Sequence, residues 1–200
     1  MRRMAAGGMM AGIIIGRNLE ALRVAIEQAK AAWAASPPRG LAFELEDVTL
    51  FAAASGKQRP VLKGTIGSTA LSVVVRSDGV HLGRTEIVAT PAEGAPVKVG
   101  VHPSPGGLMG YLREWIGQDI QIGDEAFDDA YLITGKPESA AQSLLHPSIR
   151  ELIVGIGPRF AGFTYAADKV VVVLHGVESD VEALGIAIDL ASAAASKRIV

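Results

Sequence analysis

The segment from Asp119 to Asp129 holds the highest density of groups that could do chemistry. It carries five carboxylates in eleven residues. Oxygen-rich clusters suit hard cations such as Mg²⁺ or Ca²⁺, although this spacing differs from the calcium-binding loop with glutamate at its twelfth position. One hypothesis is therefore a divalent-metal-dependent hydrolase that uses Asp124, Asp128 and Asp129. The favoured interpretation is a structural loop in which Asp124 caps a turn and Phe127 enters the core.

Two glycine-containing segments invite comparison with nucleotide-binding loops. Thr134-Gly135-Lys136 ends like a phosphate-binding loop, but that pattern needs Gly and Ser or Thr where the chain has Ala130 and Pro137. Residues 155–160 fail the dinucleotide-binding pattern at the last position and follow a predicted helix rather than a strand. We expect neither segment to bind a nucleotide.

The four histidines are far apart along the chain, and no two of them are four residues apart on one helix, as a zinc site would favour. We interpret each as a turn or helix-end residue. One pairing stays open, because His146 could meet the acidic segment 119–129 in space.

The composition excludes several classes of protein. Nineteen Lys and Arg against 21 Asp and Glu give a net charge of -2, which argues against a nucleic-acid partner. Without cysteine there is no disulfide, thiolate nucleophile, iron–sulfur cluster or Cys-type zinc site. We expect no cofactor. A small-molecule ligand in an apolar pocket between sheet and C-terminal helix would leave no trace in the sequence.

The chain begins with an apolar segment. Met4 to Ile15 reads MAAGGMMAGIII and is flanked by arginines. A helix of this length rises about 18 Å, whereas the hydrocarbon core of a bilayer is about 30 Å thick, so the segment cannot cross a membrane unaided. No small-residue cleavage site follows directly, and we expect no cleaved signal peptide.

Three glycines in this segment could form a helix-packing face. Gly8, Gly12 and Gly16 are spaced by four, so on a helix they line one side and allow a second backbone to approach closely. Together with Ile13-Ile14-Ile15 they form the predicted interaction surface, used for self-association or for attachment to a membrane or membrane protein. The alternative is a frayed terminus in a chain that is rich in glycine.

An amphipathic helix is predicted from Leu19 to Ala35. Its apolar positions are Leu19, Leu22, Ile26, Ala29 and Trp33, separated by charged residues. Pro37 and Pro38 end it, because proline excludes the preceding residue from helical space. We therefore divide the chain into residues 1–38, the helical extension with its proline linker, and residues 39–200, a single α+β domain.

The body of the domain has the pattern of an antiparallel sheet covered by helices. Alternating runs predict three hairpins: 61–66 with 69–76, 86–90 with 97–102, and 160–165 with 170–174. The unbroken run Val170–Leu174 predicts a central strand that is covered on both faces. Helices are predicted at 137–145 and at 147–154, the latter ended by Gly155 and Gly157.

A long C-terminal helix is predicted to lie across this sheet. Ser179-Asp180-Val181-Glu182 has the form of a capping box with Ser179 as the cap. Strands and helices cluster instead of alternating, which indicates the α+β class.

Residues 62–154 resemble an uncharacterised group of bacterial proteins. The resemblance lies in the Gly-Asp-x-x-Phe-Asp block at 123–128, which runs into the strand Tyr131–Ile133, and in the Leu-Leu-x-Pro junction at 144–147. It implies a shared fold and a bacterial source, with no assigned activity. Some members resemble membrane-associated proteins through an N-terminal apolar stretch.

These observations favour a non-catalytic domain that works by association. Its expected partners are a second copy of the chain, a membrane or a membrane protein, bound through residues 4–16. We expect a cytoplasmic or membrane-peripheral protein.

Overall fold

The computed structural model describes residues 6–47, 58–76, 83–91, 96–104 and 119–197, and the side chains of residues 6–19 lie outside the described part. The helices in these ranges are α1 (Ala6–Ala35), α2 (Glu125–Ala130), α3 (Glu138–Leu144), α4 (Pro147–Ile156) and α5 (Val181–Ala195). The strands are β1 (Ala42–Asp47), β2 (Gln58–Ile66), β3 (Thr69–Arg76), β4 (Arg84–Ala89), β5 (Lys98–Pro103), β6 (Tyr131–Lys136), β7 (Phe160–Tyr165) and β8 (Val170–His175).

The eight strands form one sheet in the order β1-β2-β3-β4-β8-β7-β5-β6, and each pair of neighbours is antiparallel. The predicted α+β class is confirmed, and so are the β2–β3 and β7–β8 hairpins. The hairpin predicted between β4 and β5 is wrong, because the β7–β8 hairpin lies between these two strands. Alternating hydrophobicity identifies a strand but not its partner, and here the most apolar strand, β8, takes the central position.

One row of paired residues crosses the sheet from edge to edge. Residues paired across neighbouring strands share a face, so this row lies on a single side of the sheet. Its members are Phe43, Leu62, Val73, Ile87, Val172, Phe163, Val101 and Ile133. All but Phe43 are fully buried, and they form one hydrophobic core with the apolar faces of the helices.

Helix α5 lies across β3, β4 and β8, as predicted, and α4 packs on α5. On β8 the side chains of Val170, Val172 and Leu174 are fully buried beneath these helices. Val171 and Val173 point to the other face and are half-buried. The second face of the strand is therefore less completely covered than the unbroken run predicts.

The second half of α1, residues 20–35, fastens this helix to the body of the protein. Leu22, Ile26, Ala29 and Trp33 are at most 2% exposed, which confirms four of the five predicted positions. The indole Nε1–H of Trp33 donates a buried hydrogen bond of 3.1 Å to the carbonyl oxygen of Glu178. We call these four residues the α1 anchor.

Gly83, at the start of β4, allows the α1 anchor to approach closely. Its φ of +81° favours glycine, and a Cβ there would stand 2.8 Å from a methyl group of Leu22. Any larger residue at this position would meet both a strained backbone and this side chain.

Two predicted helix boundaries differ in detail from the structure. The cap of α5 is Asp180, not Ser179, because Asp180 Oδ1 accepts from the backbone N–H groups of Glu182 at 3.0 Å and Ala183 at 3.2 Å. Helix α4 continues through Gly155 and ends before Gly157 alone, whose φ is +64°. A glycine is tolerated inside a helix, whereas a positive φ ends one.

Candidate functional site

The acidic segment 119–129 folds into a loop and the short helix α2. The carboxylate of Asp124 caps this helix by accepting from the backbone N–H of Phe127 at 3.3 Å, and the Phe127 ring is 3% exposed. Both features were predicted from the sequence, and both are confirmed.

Asp128 is the most deeply buried carboxylate of the segment, at 5% exposure. Its Oδ1 accepts from the backbone N–H of Ile122 and its Oδ2 from that of Gly123, both at 3.1 Å. Asp119 likewise accepts from the backbone N–H of Ile133 at 3.2 Å, while Asp129 is exposed. These carboxylates satisfy backbone donors of the loop, as a structural role requires.

The hypothesis of a divalent-metal site receives no support from this geometry. Within the described ranges, which include Asp124, Asp128 and Asp129, no three His, Asp or Glu residues form a group that could hold a metal ion. The three side chains instead have different surroundings: Asp124 caps a helix, Asp128 is a buried hydrogen-bond acceptor and Asp129 is exposed.

Arg150 on α4 is the cation that meets the acidic segment. Its Nη1 lies 2.9 Å from Oδ2 of Asp124. The sequence left open a pairing of His146 with this segment, but the structure pairs the histidine elsewhere. Its Nδ1 lies 3.1 Å from the hydroxyl of Ser148. Helix α4 presents the guanidinium, not the imidazole, to Asp124.

The environment of His146 disfavours its charged form. Burial lowers the pKa of the imidazole below its usual 6.5, and the positive charges of Lys197 and Arg150 lower it further. Its Nε2 is buried and has no hydrogen-bond partner among the described residues.

We expect this histidine to make the protein less stable in mild acid. Because the pKa is lower in the folded than in the unfolded chain, the stabilisation is present above pH 6.5 and is lost as the pH falls below that value. His146 precedes α4 as its N-cap residue without a side-chain cap hydrogen bond, and asparagine is favoured at that position. The variant His146→Asn should therefore fold and should reduce the shift in urea midpoint between about pH 7 and pH 5. An unchanged shift would contradict this assignment.

A surface cavity of about 570 Å³ lies between α2 and α4. Its wall is mostly apolar and is formed by Ala126, Phe127, Ala130, Tyr131, Pro147 and Val154. Three charged side chains also line it: Asp124, Arg150 and Glu151. We call this cavity the α2–α4 groove.

Two aromatic side chains that line the α2–α4 groove, Phe127 and Tyr131, contact each other, and Tyr131 also contacts Phe160. The Phe127 and Tyr131 rings are 4.5 Å apart, and Tyr131 meets Phe160 edge-on at 5.7 Å. Partial burial raises the pKa of the Tyr131 phenol, which stays neutral. Sequence reasoning missed this groove, because its two walls come from separate helices and no local pattern marks their meeting.

The predicted interaction residues lie on the first half of α1, residues 6–19. Gly8, Gly12 and Gly16 are on the continuous helix, as their predicted shared face requires, and so are Ile13-Ile14-Ile15. Their side chains fall outside the described part of the structure, so their role stays a prediction. In the ranges that the structure describes, no helix has both the length and the apolar character needed to span a membrane.

The architecture defines an α+β protein whose eight-stranded antiparallel sheet is covered by helices. The crystal structure of the mycobacterial trehalose monomycolate transport factor A, TtfA, has a similar fold. The TM-score is 0.51 at 13% sequence identity, and the match covers 84% of this chain and 95% of that one. No protein-family model matches the sequence, and neither does any curated protein. The resemblance to the bacterial group through residues 123–128 and 144–147 therefore stays a prediction.

Proposed function

We propose that this protein is a non-catalytic, transport-associated domain that works by association, with the first half of α1 as its attachment element. The observation that carries the proposal is the continuity of α1. One helix of 30 residues combines a buried anchor at residues 22–33 with a stretch from Ala6 to Gly16 that contains no charged residue.

The helix can transmit attachment because its two halves belong to one continuous helix. The α1 anchor fixes the second half to the core, so whatever binds the first half is held at a defined position relative to the sheet. Eleven uncharged residues rise about 16 Å along the axis, enough for a helix–helix contact or for insertion into one leaflet of a bilayer. Glycines spaced by four favour the helix–helix contact.

Two further observations support a role in association over catalysis. The densest group of candidate catalytic side chains, the acidic segment, is engaged with backbone N–H groups and with Arg150. In addition, the transport factor TtfA shares this fold over most of both chains. A role in transport for this chain follows from that likeness as a proposal.

Comparison of three forms of the protein tests the proposal: the full chain, a deletion of residues 1–16, and a triple variant with Gly8, Gly12 and Gly16 changed to leucine. We expect the full chain to sediment with liposomes or to scatter light as an assembly of at least two chains. The deletion should abolish both behaviours. The leucine variant should lose assembly but keep lipid binding, because it blocks close helix approach and adds apolar surface.

The matched control is Val24→Asn, which changes an exposed residue on the second half of the same helix. It should behave as the full chain does. A full chain that is monomeric, ignores liposomes and is indistinguishable from the deletion would overturn the proposal.

A further inference from the structure

We infer that the sheet binds a phosphate monoester group at one end of strands β5 and β6, where Lys98, Lys136 and Lys169 attract the group and the hydroxyl of Thr134 orients it. We call the three lysines the lysine row. This inference goes beyond the proposed function and does not depend on it, because none of these residues belongs to α1.

The lysine row crosses one end of three neighbouring strands. Lys98 and Lys136 are directly opposite each other on β5 and β6. One step past the last β5–β7 pair, the row continues through Ala166 to Lys169, and two backbone hydrogen bonds join these two residues. Val99, the neighbour of Lys98, is buried in the core, so the lysine row points to the opposite face of the sheet.

The lysine row makes no ion pair within the described part of the chain. By contrast, the ammonium groups of Lys30 and Lys63 each lie 2.7 Å from a glutamate oxygen. Asp168 and Glu138 are close to the lysine row in sequence, but neither is paired with it. Like charges directly opposite each other destabilise a sheet, and an anion bound between them offsets this repulsion.

A polar cavity of about 290 Å³ adjoins the lysine row. Lys98, Thr134, Gly135 and Lys136 line it. The hydroxyl of Thr134 has no hydrogen-bond partner in the described ranges and is not fully buried, so it can reach a ligand. Gly100, opposite Thr134 on β5, leaves space beside this hydroxyl, because a Cβ there would stand 2.8 Å from the oxygen.

The side chains of this cavity select a doubly charged anion. Two ammonium groups and a hydroxyl can all donate, and no carboxylate is among the described lining residues. A phosphate monoester carries about two negative charges at neutral pH and three strong acceptor oxygens, so it can accept from all three donors. A phosphodiester carries one charge and gains less from the lysine row. The site recognises the monoester group on a soluble molecule and on a lipid alike.

Titration calorimetry of the full chain at low ionic strength tests the inference. Glycerol 3-phosphate should bind, dimethyl phosphate should bind roughly fivefold more weakly or less, and glycerol should give no heat. Dihexanoyl phosphatidic acid, kept below its micelle concentration, distinguishes the source of the group. Equal affinity for the two monoesters supports a soluble ligand, whereas tighter binding of the phosphatidic acid supports a lipid head group.

Charge-removing variants locate the site. Lys98→Gln and Lys136→Gln should each weaken binding of both monoesters roughly three- to tenfold. Thr134→Val keeps the shape of the side chain and removes its donor, so it should also weaken binding. The matched control Lys197→Gln removes an exposed lysine just after α5 and should leave binding unchanged.

Thermal melting separates lost binding from lost folding. Without ligand, Lys136→Gln should melt no lower than the unmodified protein, because it relieves the repulsion from Lys98. Absence of binding by both monoesters, equal affinity for glycerol 3-phosphate and dimethyl phosphate, or equal losses in Lys136→Gln and Lys197→Gln would each overturn the inference.

Discussion

Replacement of Trp33 by alanine is expected to destabilise the protein by about 3–5 kcal/mol, because it removes the largest fully buried side chain of the α1 anchor. The loss has two parts: a cavity between α1 and the core, and a missing hydrogen bond to the carbonyl oxygen of Glu178. Urea unfolding followed by far-ultraviolet circular dichroism measures this loss. Tryptophan fluorescence is less suitable, because the substitution removes one of only two tryptophans and leaves Trp115 alone.

Two variants separate these contributions. Trp33→Phe keeps most of the apolar volume but removes the donor, so its cost should lie clearly below that of Trp33→Ala. Val24→Ala changes an exposed residue on the same helix and should stay within about 0.5 kcal/mol. A Trp33→Ala variant as stable as Val24→Ala would mean that the second half of α1 is not anchored as described.

The anchor also connects this stability to the proposed function. If the first half of α1 attaches the protein to its partner, the second half must stay on the core for that attachment to position the sheet. Hydrogen exchange of α1 amides in Trp33→Phe would report whether the helix opens before the rest of the protein unfolds.

Local sequence patterns were sufficient to predict most of the helices and strands. The spacing of Leu22, Ile26, Ala29 and Trp33 identifies the buried face of α1, because three- and four-residue steps place side chains on one side of a helix. The role of Asp124 as a cap and of Phe127 as a core residue also follows from local sequence, since both interactions span only a few residues.

Contacts between distant residues were not predictable in the same way. The placement of β7 and β8 between β4 and β5 depends on pairings such as Ile87 with Val172, more than 80 residues apart, and any apolar strand presents a similar pattern. The α2–α4 groove lies between helices that are joined by the ion pair of Arg150 with Asp124, two residues that are 26 positions apart in the sequence. The one-residue change in helix cap, from Ser179 to Asp180, arises because both side chains carry an oxygen that can cap a helix, and here Asp180 accepts the backbone N–H bonds.

Asp128 shows most clearly how the structure changes the interpretation of a residue. In the sequence it belongs to a possible metal-binding trio, whereas in the fold it is a buried acceptor for two consecutive backbone N–H groups. We expect Asp128→Ala to cost about 2–3 kcal/mol, because it leaves both donors without this partner. Asp128→Asn should cost less, since one oxygen can still accept while the amide nitrogen cannot.

Asp129 provides a matched control at the adjacent position. It is exposed, so Asp129→Ala should change the free energy of unfolding by no more than about 0.5 kcal/mol. A metal site would give a different result: both variants would lose a Mg²⁺- or Ca²⁺-dependent rise in melting temperature that the unmodified protein shows. If Asp128 is a buried structural acceptor, Asp128→Ala lowers the free energy of unfolding by a large amount and Asp129→Ala by a small one. The melting temperatures then respond neither to these cations nor to a chelator.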